Sequence, residues 1–191
     1  LKNVLDRIDG SVNFVDVGGS IGEFVVDMAS HEKAAKVIAF EPQPEAASAI
    51  GKSFAINGFQ KGHIIQKIVT DDLKDLYFLH DQRSPTASHV VSSISDDLKG
   101  NQRLMKIPAT TLDDELSEIE GSTIILLDIE GGEYLAMKGA LGFIRRWRPL
   151  LIFEYNSVSR KSFDLNMVRD LLGSNYSIYR LSSDGHIDSN E

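Results

Sequence analysis

Val12-Asn13-Phe14-Val15-Asp16-Val17 is a short β-branched and aromatic run that stops at Gly18-Gly19, the pattern of a buried strand leading into a tight turn. Ile21, Phe24, Val25 and Met28 then recur at helical spacing, and Ser20 with Glu23 has the spacing of a capping box at the start of that helix. Val37-Ile38-Ala39-Phe40 reads as a second strand, closed by Glu41-Pro42. A helix from about Pro44 to Ile56 follows, with proline in its first turn, Ala47, Ile50 and Phe54 on one face, and Asn57-Gly58 as its stop. His63 to Val69 reads as a third strand. Strands and helices alternating over short connections predict a mostly parallel sheet covered by helices on both faces.

The stretch from Thr70 to about Thr110 breaks this rhythm. Leu76-Tyr77-Phe78-Leu79, the polar Asp81-Gln82-Arg83-Ser84-Pro85-Thr86 and His89-Val90-Val91 read as short extra strands and loops, an insertion after the third strand. Alternation resumes with a short helix over Thr111–Leu116 and with Thr123-Ile124-Ile125-Leu126-Leu127-Asp128-Ile129, an apolar run suited to the centre of a sheet. A helix from about Gly132 to Gly139, a strand over Pro149–Glu154, a helix marked by Leu165, Val168, Leu171 and Leu172 and ended by Gly173, and a last strand over Tyr176–Leu181 complete an α/β chain. Its 191 residues predict one domain over 1–191, with 70–110 shaping whatever lies beside the main site.

Charge narrows the partners. Twenty Lys+Arg against 28 Asp+Glu leave a net charge of −8, which disfavours a phosphate-tracking nucleic-acid binder and a basic membrane-surface helix. No apolar run approaches the ~20 residues of a spanning helix. The absence of cysteine excludes thiolate chemistry and disulfides, and is compatible with a cytoplasmic location. Leu1-Lys2-Asn3-Val4 lacks an initiator methionine and a signal pattern, so the chain is expected to begin inside a longer one.

In open α/β sheets, ligands bind outside the carboxyl ends of the strands. Those ends are acidic here: Asp16 before the Gly18-Gly19-Ser20-Ile21-Gly22 turn, Glu41 after the second strand, Asp128 with Glu130 and Glu133, and Glu154. The glycines allow positive φ and close approach of a ligand. Their spacing is not the dinucleotide fingerprint, which would need glycine at Ser20 and Glu23. Glu41, 25 positions after Asp16, is placed to accept from both hydroxyls of a ribose. A ribose without pyrophosphate, among carboxylates, points to a cationic nucleoside, and S-adenosylmethionine fits.

Asp16-Val17-Gly18-Gly19-Ser20-Ile21-Gly22, Phe40-Glu41-Pro42, Thr111-Leu112-Asp113-Asp114, Leu127-Asp128-Ile129-Glu130-Gly131-Gly132-Glu133 and Gly139-Ala140 together resemble the FkbM family of S-adenosylmethionine-dependent methyltransferases. The resemblance runs from about Val12 to Glu154, and D-x-E-G-x-E is its most specific element. It implies a Rossmann-like class I methyltransferase fold and O-methylation of a hydroxyl on a sugar or natural product. It implies that the turn of Gly18, Gly19, Ser20 and Gly22 holds the methionine part and that Glu41 takes the ribose, with Asp16 and Pro42 also among the cofactor-binding residues. Thr70 or Asp71 would neighbour the adenine, and Asp128 would lie near the transferring methyl. Two departures stand out: Gly19-Ser20 replaces the more usual Ala-Asn, and Leu126 stands where many members carry lysine.

An alcohol acceptor must lose a proton as it attacks, and a general base contributes typically 10²–10⁴-fold. Asp128, Glu130 and Glu133 are the candidate bases, with His89 a lesser one. Taken singly, these acids also suit the first turn of a helix, where carboxylates favour the dipole. The same oxygens could take a divalent cation such as Mg²⁺ or Ca²⁺, but nothing in their spacing sets a coordination pattern, and no metal ligand is assigned. The five histidines show no paired ligand spacing. Arg145-Arg146-Trp147-Arg148 could suggest an anionic acceptor, but reads as the cation-rich end of a helix. The expected partner is a small hydroxylated acceptor. Two other readings stand beside the enzyme: a catalytically degenerate binding module of the same fold, and an NAD(P)-dependent oxidoreductase.

Overall fold

The computed structural model describes residues 2–5, 7–74, 76–81, 89–91, 102–182 and 187–188. Five parallel strands form the central sheet: β1 (Val12–Val17), β2 (Ala34–Phe40), β3 (Gly62–Ile65), β9 (Thr123–Leu127) and β10 (Leu150–Phe153). Their order across the sheet is β10-β9-β1-β2-β3. The chain therefore runs outward from β1 in one direction, then returns to the other side of β1 and runs outward again. The crevice between the carboxyl ends of β1 and β9 is the switch point at which such sheets bind ligands.

Alternation along the buried strands sends side chains to two separate cores. Phe14, Val37, Ala39, Ile124 and Leu126 pack with Val25 and Met28 of α2 (Glu23–Ser30) and with Ile50 and Phe54 of α3 (Pro44–Asn57). Val15, Val17, Ile38, Phe40, Ile125 and Leu127 pack on the opposite face, against α4 (Leu112–Glu115), α5 (Glu133–Lys138), α6 (Leu141–Trp147) and α8 (Leu165–Leu172). α3 begins with Pro44 in its first turn and stops at Gly58, whose φ of +68° is the left-handed C-cap that Asn57-Gly58 suggests. α6 ends in Arg145 and Arg146, with the Arg146 guanidinium 5.0 Å from the centre of the Trp147 ring, so the arginine run is a helix end.

Three expectations need correction. His63–Val69 is not one strand: β3 stops at Ile65, and Ile68–Val69 forms β4, which pairs in parallel with β8 (Ala109–Thr110). A local turn, in which the Lys67 N–H donates to the Ile65 carbonyl, separates the two pieces. Ser20 does not cap α2; the helix starts at Glu23 with Gly22 as its cap, and Ser20 lies in the left-handed region at φ +46°. Only Arg180–Leu181 of the last predicted strand pairs, as β11 against β12 (Ile187–Asp188). The insertion does carry the extra strands expected of it: β5 (Leu76–Asp81) lies between β6 (His89–Val91) and β7 (Gln102–Ile107), antiparallel to both. Residues 82–88 lie outside the described residues, as do the side chains of His80 and His89. Among the described residues no helix is long and apolar enough to cross a membrane.

Candidate functional site

Register assembles the site. Val17 pairs with Phe40 on one side and Leu127 on the other, and Leu127 pairs with Phe153. The ladder continues one residue past each strand: the N–H groups of Gly18, Asp128 and Glu154 donate to Phe40, Val17 and Leu127 carbonyls at 2.9, 3.0 and 3.0 Å. Glu41, Gly18, Asp128 and Glu154 therefore form one row across four strands. Aligned residues of a parallel sheet share a face, so the acids lie on the side of the sheet that carries α2 and α3. Gly18 leaves a gap in that row. Its φ is +96°, and a Cβ there would run into the Asp128 carbonyl, so β1 and β9 meet backbone to backbone at the switch point.

Asp16 sits one tier below the gap, opposite Ala39 and Leu126 in register. It is 1% exposed, and its Oδ1 has no hydrogen-bond partner. Burial, then the charges of Asp128 and Glu41, raise its carboxyl from 3.8 to about 7. Glu41 is also buried, which raises its carboxyl, although two backbone donors pull the other way. Ser20 N–H donates to its Oε2 and Gln43 N–H to its Oε1, each at 2.8 Å. Each oxygen keeps a free lone-pair direction. The left-handed Ser20 thus has a cause: it turns its N–H onto Glu41.

The Asp128–Glu133 segment divides into exposed and internal acids. Glu130 (φ +51°) and Gly131 (φ +99°) are the central residues of a turn closed by Gly132 N–H on the Ile129 carbonyl. Asp128 and Glu130 are exposed. Glu133 is fully buried, and its carboxylate accepts from the N–H groups of Ile129 and Gly131 at 3.0–3.2 Å. It fastens the turn from within the fold. Glu154 is half-buried and within hydrogen-bond reach of Asp128, and burial followed by the charges of Asp128 and Glu130 raises its carboxyl.

A family model described as the methyltransferase FkbM domain matches residues 16–180. The chain belongs to that family. Among solved structures, the methyltransferase FkbM from Methylobacillus flagellatus is similar over 89% of this chain, with a TM-score of 0.61 and 21% identity, which shows a shared fold. The FkbM domain described here spans 39% of that protein. Looser likenesses, too low to carry weight, extend to an rRNA methylase from Streptococcus thermophilus (TM-score 0.45, 13% identity, 82% of this chain and 68% of that one). The same holds for a precorrin-6y C5,15-methyltransferase from Geobacter metallireducens (0.48, 9%, 95% and 76%). No curated protein matches the chain.

Other parts of the FkbM pattern serve the scaffold. Thr111 caps α4 by accepting from Asp114 N–H, and Asp113 accepts from Gly142 and Phe143 N–H at 2.9 and 2.7 Å, capping α6. Gly139 abuts the Thr70 carbonyl so closely that a Cβ would collide with it. Thr70 is buried there, and Asp71 is ion-paired with Lys138, so both are fastened to α5 rather than to the acidic row. Sequence reasoning passed over Asn156. Its Nδ2 donates to Glu154 Oε2 at 2.7 Å, while its Oδ1 accepts from Val158 and Ser159 N–H, beginning α7 (Ser159–Ser162). The available signal was an Asn placed just before a short Ser-containing helix. Among the described residues, no group of three or more His, Cys, Asp or Glu is arranged to hold a metal ion.

Glu133→Ala is expected to destabilise the FkbM domain by about 3 kcal/mol, because it leaves the buried N–H groups of Ile129 and Gly131 without an acceptor. The midpoint of chemical denaturation measures this. A loss below about 0.5 kcal/mol, the range of ordinary surface substitutions, would remove Glu133 from its fastening role.

Proposed function

We propose that this domain binds S-adenosylmethionine across the β1–β9 switch point and methylates a hydroxyl of a small acceptor, a sugar or natural product. The observation that carries the reading is the row Glu41–Gly18–Asp128–Glu154 with the unpartnered Asp16 Oδ1 beneath its gap. A site lined with carboxyl groups, two of them buried, calls for a cationic ligand, and the residues present fit this one. S-adenosylmethionine supplies an electrophilic methyl on a sulfonium. Everything else falls to the chain.

Gly18, Gly19, Ser20 and Gly22 would line the methionine part, with Asp16 toward its ammonium. Glu41, held at both oxygens by the Ser20 and Gln43 N–H groups, would accept from the two ribose hydroxyls through its remaining lone pairs, with Pro42 alongside. The backbone at Thr70–Asp71 is the candidate neighbour of the adenine. Asp128, exposed beside Glu154, would take the hydroxyl proton of the acceptor on a carboxylate oxygen, with Glu130 next to it. Glu133 holds the turn that positions Asp128. Alignment of acceptor and methyl carries much of the rate, about 7–11 kcal/mol in favourable cases. The antiparallel sheet β5–β7 is proposed to border the acceptor.

The oxidoreductase reading is disfavoured by the turn itself. A pyrophosphate cradle needs free N–H groups. Those of Gly18, Gly19, Ser20 and Gly22 are already bonded to Phe40, Glu41 and Gly19 within the protein.

Calorimetry with S-adenosylmethionine and its demethylated product tests the proposal, and a screen for label transferred from methyl-labelled donor to sugars, nucleotide-sugars and phenols tests the acceptor class. Binding of neither nucleoside would leave only the degenerate module. Glu41→Ala removes two charge-assisted hydrogen bonds to the ribose, so affinity should fall roughly 10- to 100-fold. An unchanged Kd would take the ribose away from Glu41.

A further inference from the structure

Asp16 poses a problem that the cofactor reading alone does not solve. Its carboxyl is buried, one oxygen has no partner, and its register neighbours Ala39 and Leu126 offer neither a donor nor a cation. The charges acting on it are Asp128 from the end of β9 and Glu41 from the end of β2; no group of α2 or α3 acts on it. Asp128 and Glu130 act in turn on Glu154, so the next groups along the rim are acids too. Among the described residues, the charges acting on this carboxyl are therefore all negative. An ionised Asp16 in the empty site has lost its water and gained only repulsion. Burial and these charges raise its carboxyl to about 7, so below neutral pH the empty domain keeps a proton there.

We propose that Asp16 is a proton-exchange site, protonated while the rim is empty and deprotonated when the ammonium of an amino-acid-bearing nucleoside takes the proton's place. The inference rests on the donor reading above and deepens it, naming the group that selects for the amino-acid part of the ligand. Only the O–H bond at the Asp16 carboxyl breaks; its proton passes to the buffer, and the ligand cation supplies the compensating charge. A neutral nucleoside meets Glu41 through its ribose but brings no cation, so it cannot drive the exchange. The same carboxyl thus favours the intact donor or its demethylated product over a nucleoside stripped of its amino acid.

The test is calorimetry of S-adenosylhomocysteine binding to the 191-residue chain between pH 5.5 and 8.5, repeated in phosphate and in Tris, whose ionisation heats differ. Proton release should be nearly complete at the acid end of that range and fall away toward the alkaline end, with affinity rising by up to about tenfold per pH unit where release is complete and levelling where it is lost. 5′-Methylthioadenosine, which lacks the amino acid, should bind without that release. Asp16→Asn should abolish the release and flatten the pH dependence for S-adenosylhomocysteine. Three results would overturn the assignment: binding of S-adenosylhomocysteine without proton release, release that persists in the Asp16→Asn variant, or equal release with 5′-methylthioadenosine. Failure of S-adenosylhomocysteine to bind at any pH would instead bring down the donor reading together with this one.

Discussion

Gly18→Ala should cost about 3 kcal/mol or more of stability and abolish binding of S-adenosylhomocysteine. Two effects add at this position. An L-residue at φ +96° loses roughly 1–2 kcal/mol to backbone strain. The new methyl also meets the Asp128 carbonyl and lies 2.9 Å from Ile129 Cγ2. A main-chain oxygen cannot rotate away, so relief requires β1 and β9 to separate, which breaks the ladder that sets Asp128 beside the gap. Gly121→Ala is the control. Gly121 also has positive φ, +87°, but a Cβ there meets nothing within 4 Å, so only the strain is lost. Denaturation midpoints and calorimetry of both variants decide the matter: equal losses would show that the close approach of β1 to β9 carries no weight.

Asp16→Asn should stabilise the ligand-free domain at pH 8 while leaving it nearly unchanged below pH 4. The sign follows from linkage. The carboxyl stands at 3.8 in the absence of shifts and at about 7 in the folded chain, so between those values the folded state holds a proton that the unfolded state has lost. Stability then falls with rising pH by up to about 1.4 kcal/mol per unit, and the full penalty persists above 7. Asparagine keeps the shape without the charge, and the gain at pH 8 should be about 2–4 kcal/mol, or about 5–10 °C in Tm. A gain of the same size at pH 4 and pH 8 would mean that packing, not ionisation, sets the effect. The stabilised variant should also bind the nucleoside less well, the trade-off of a site that stores an unfavourable charge for its ligand.

Much of this architecture is legible in the chain. Apolar runs that end in acids reveal the strands and their carboxyl ends, and Asn57-Gly58 marks a helix stop because only the left-handed region lets the chain turn there. Register is not legible, and register makes the site. Leu126 illustrates this. The sequence shows only that an ammonium is missing two residues before Asp128, whereas the pairing of Leu126 with Asp16 shows where that lack is felt. The S-x-x-E spacing of Ser20 and Glu23 suggests a capping box, but a tertiary partner, Glu41, takes the Ser20 N–H and turns the backbone left-handed. The acids of D-x-E-G-x-E look alike in one dimension. In the fold Glu133 bends back over its own turn, leaving Asp128 and Glu130 to the solvent side.

The amide of Asn156 ties the end of β10 to the start of α7, and the far end of α7 brings Ser162 against Gly131, where a Cβ would lie 2.9 Å from Ser162 Oγ. A small outer loop is thus wedged between Glu154 and the Glu130-Gly131 corner. A shift of this loop would therefore move two carboxylates at once, while Glu41, held by the Ser20 and Gln43 N–H groups on the far side of Gly18, would stay in place.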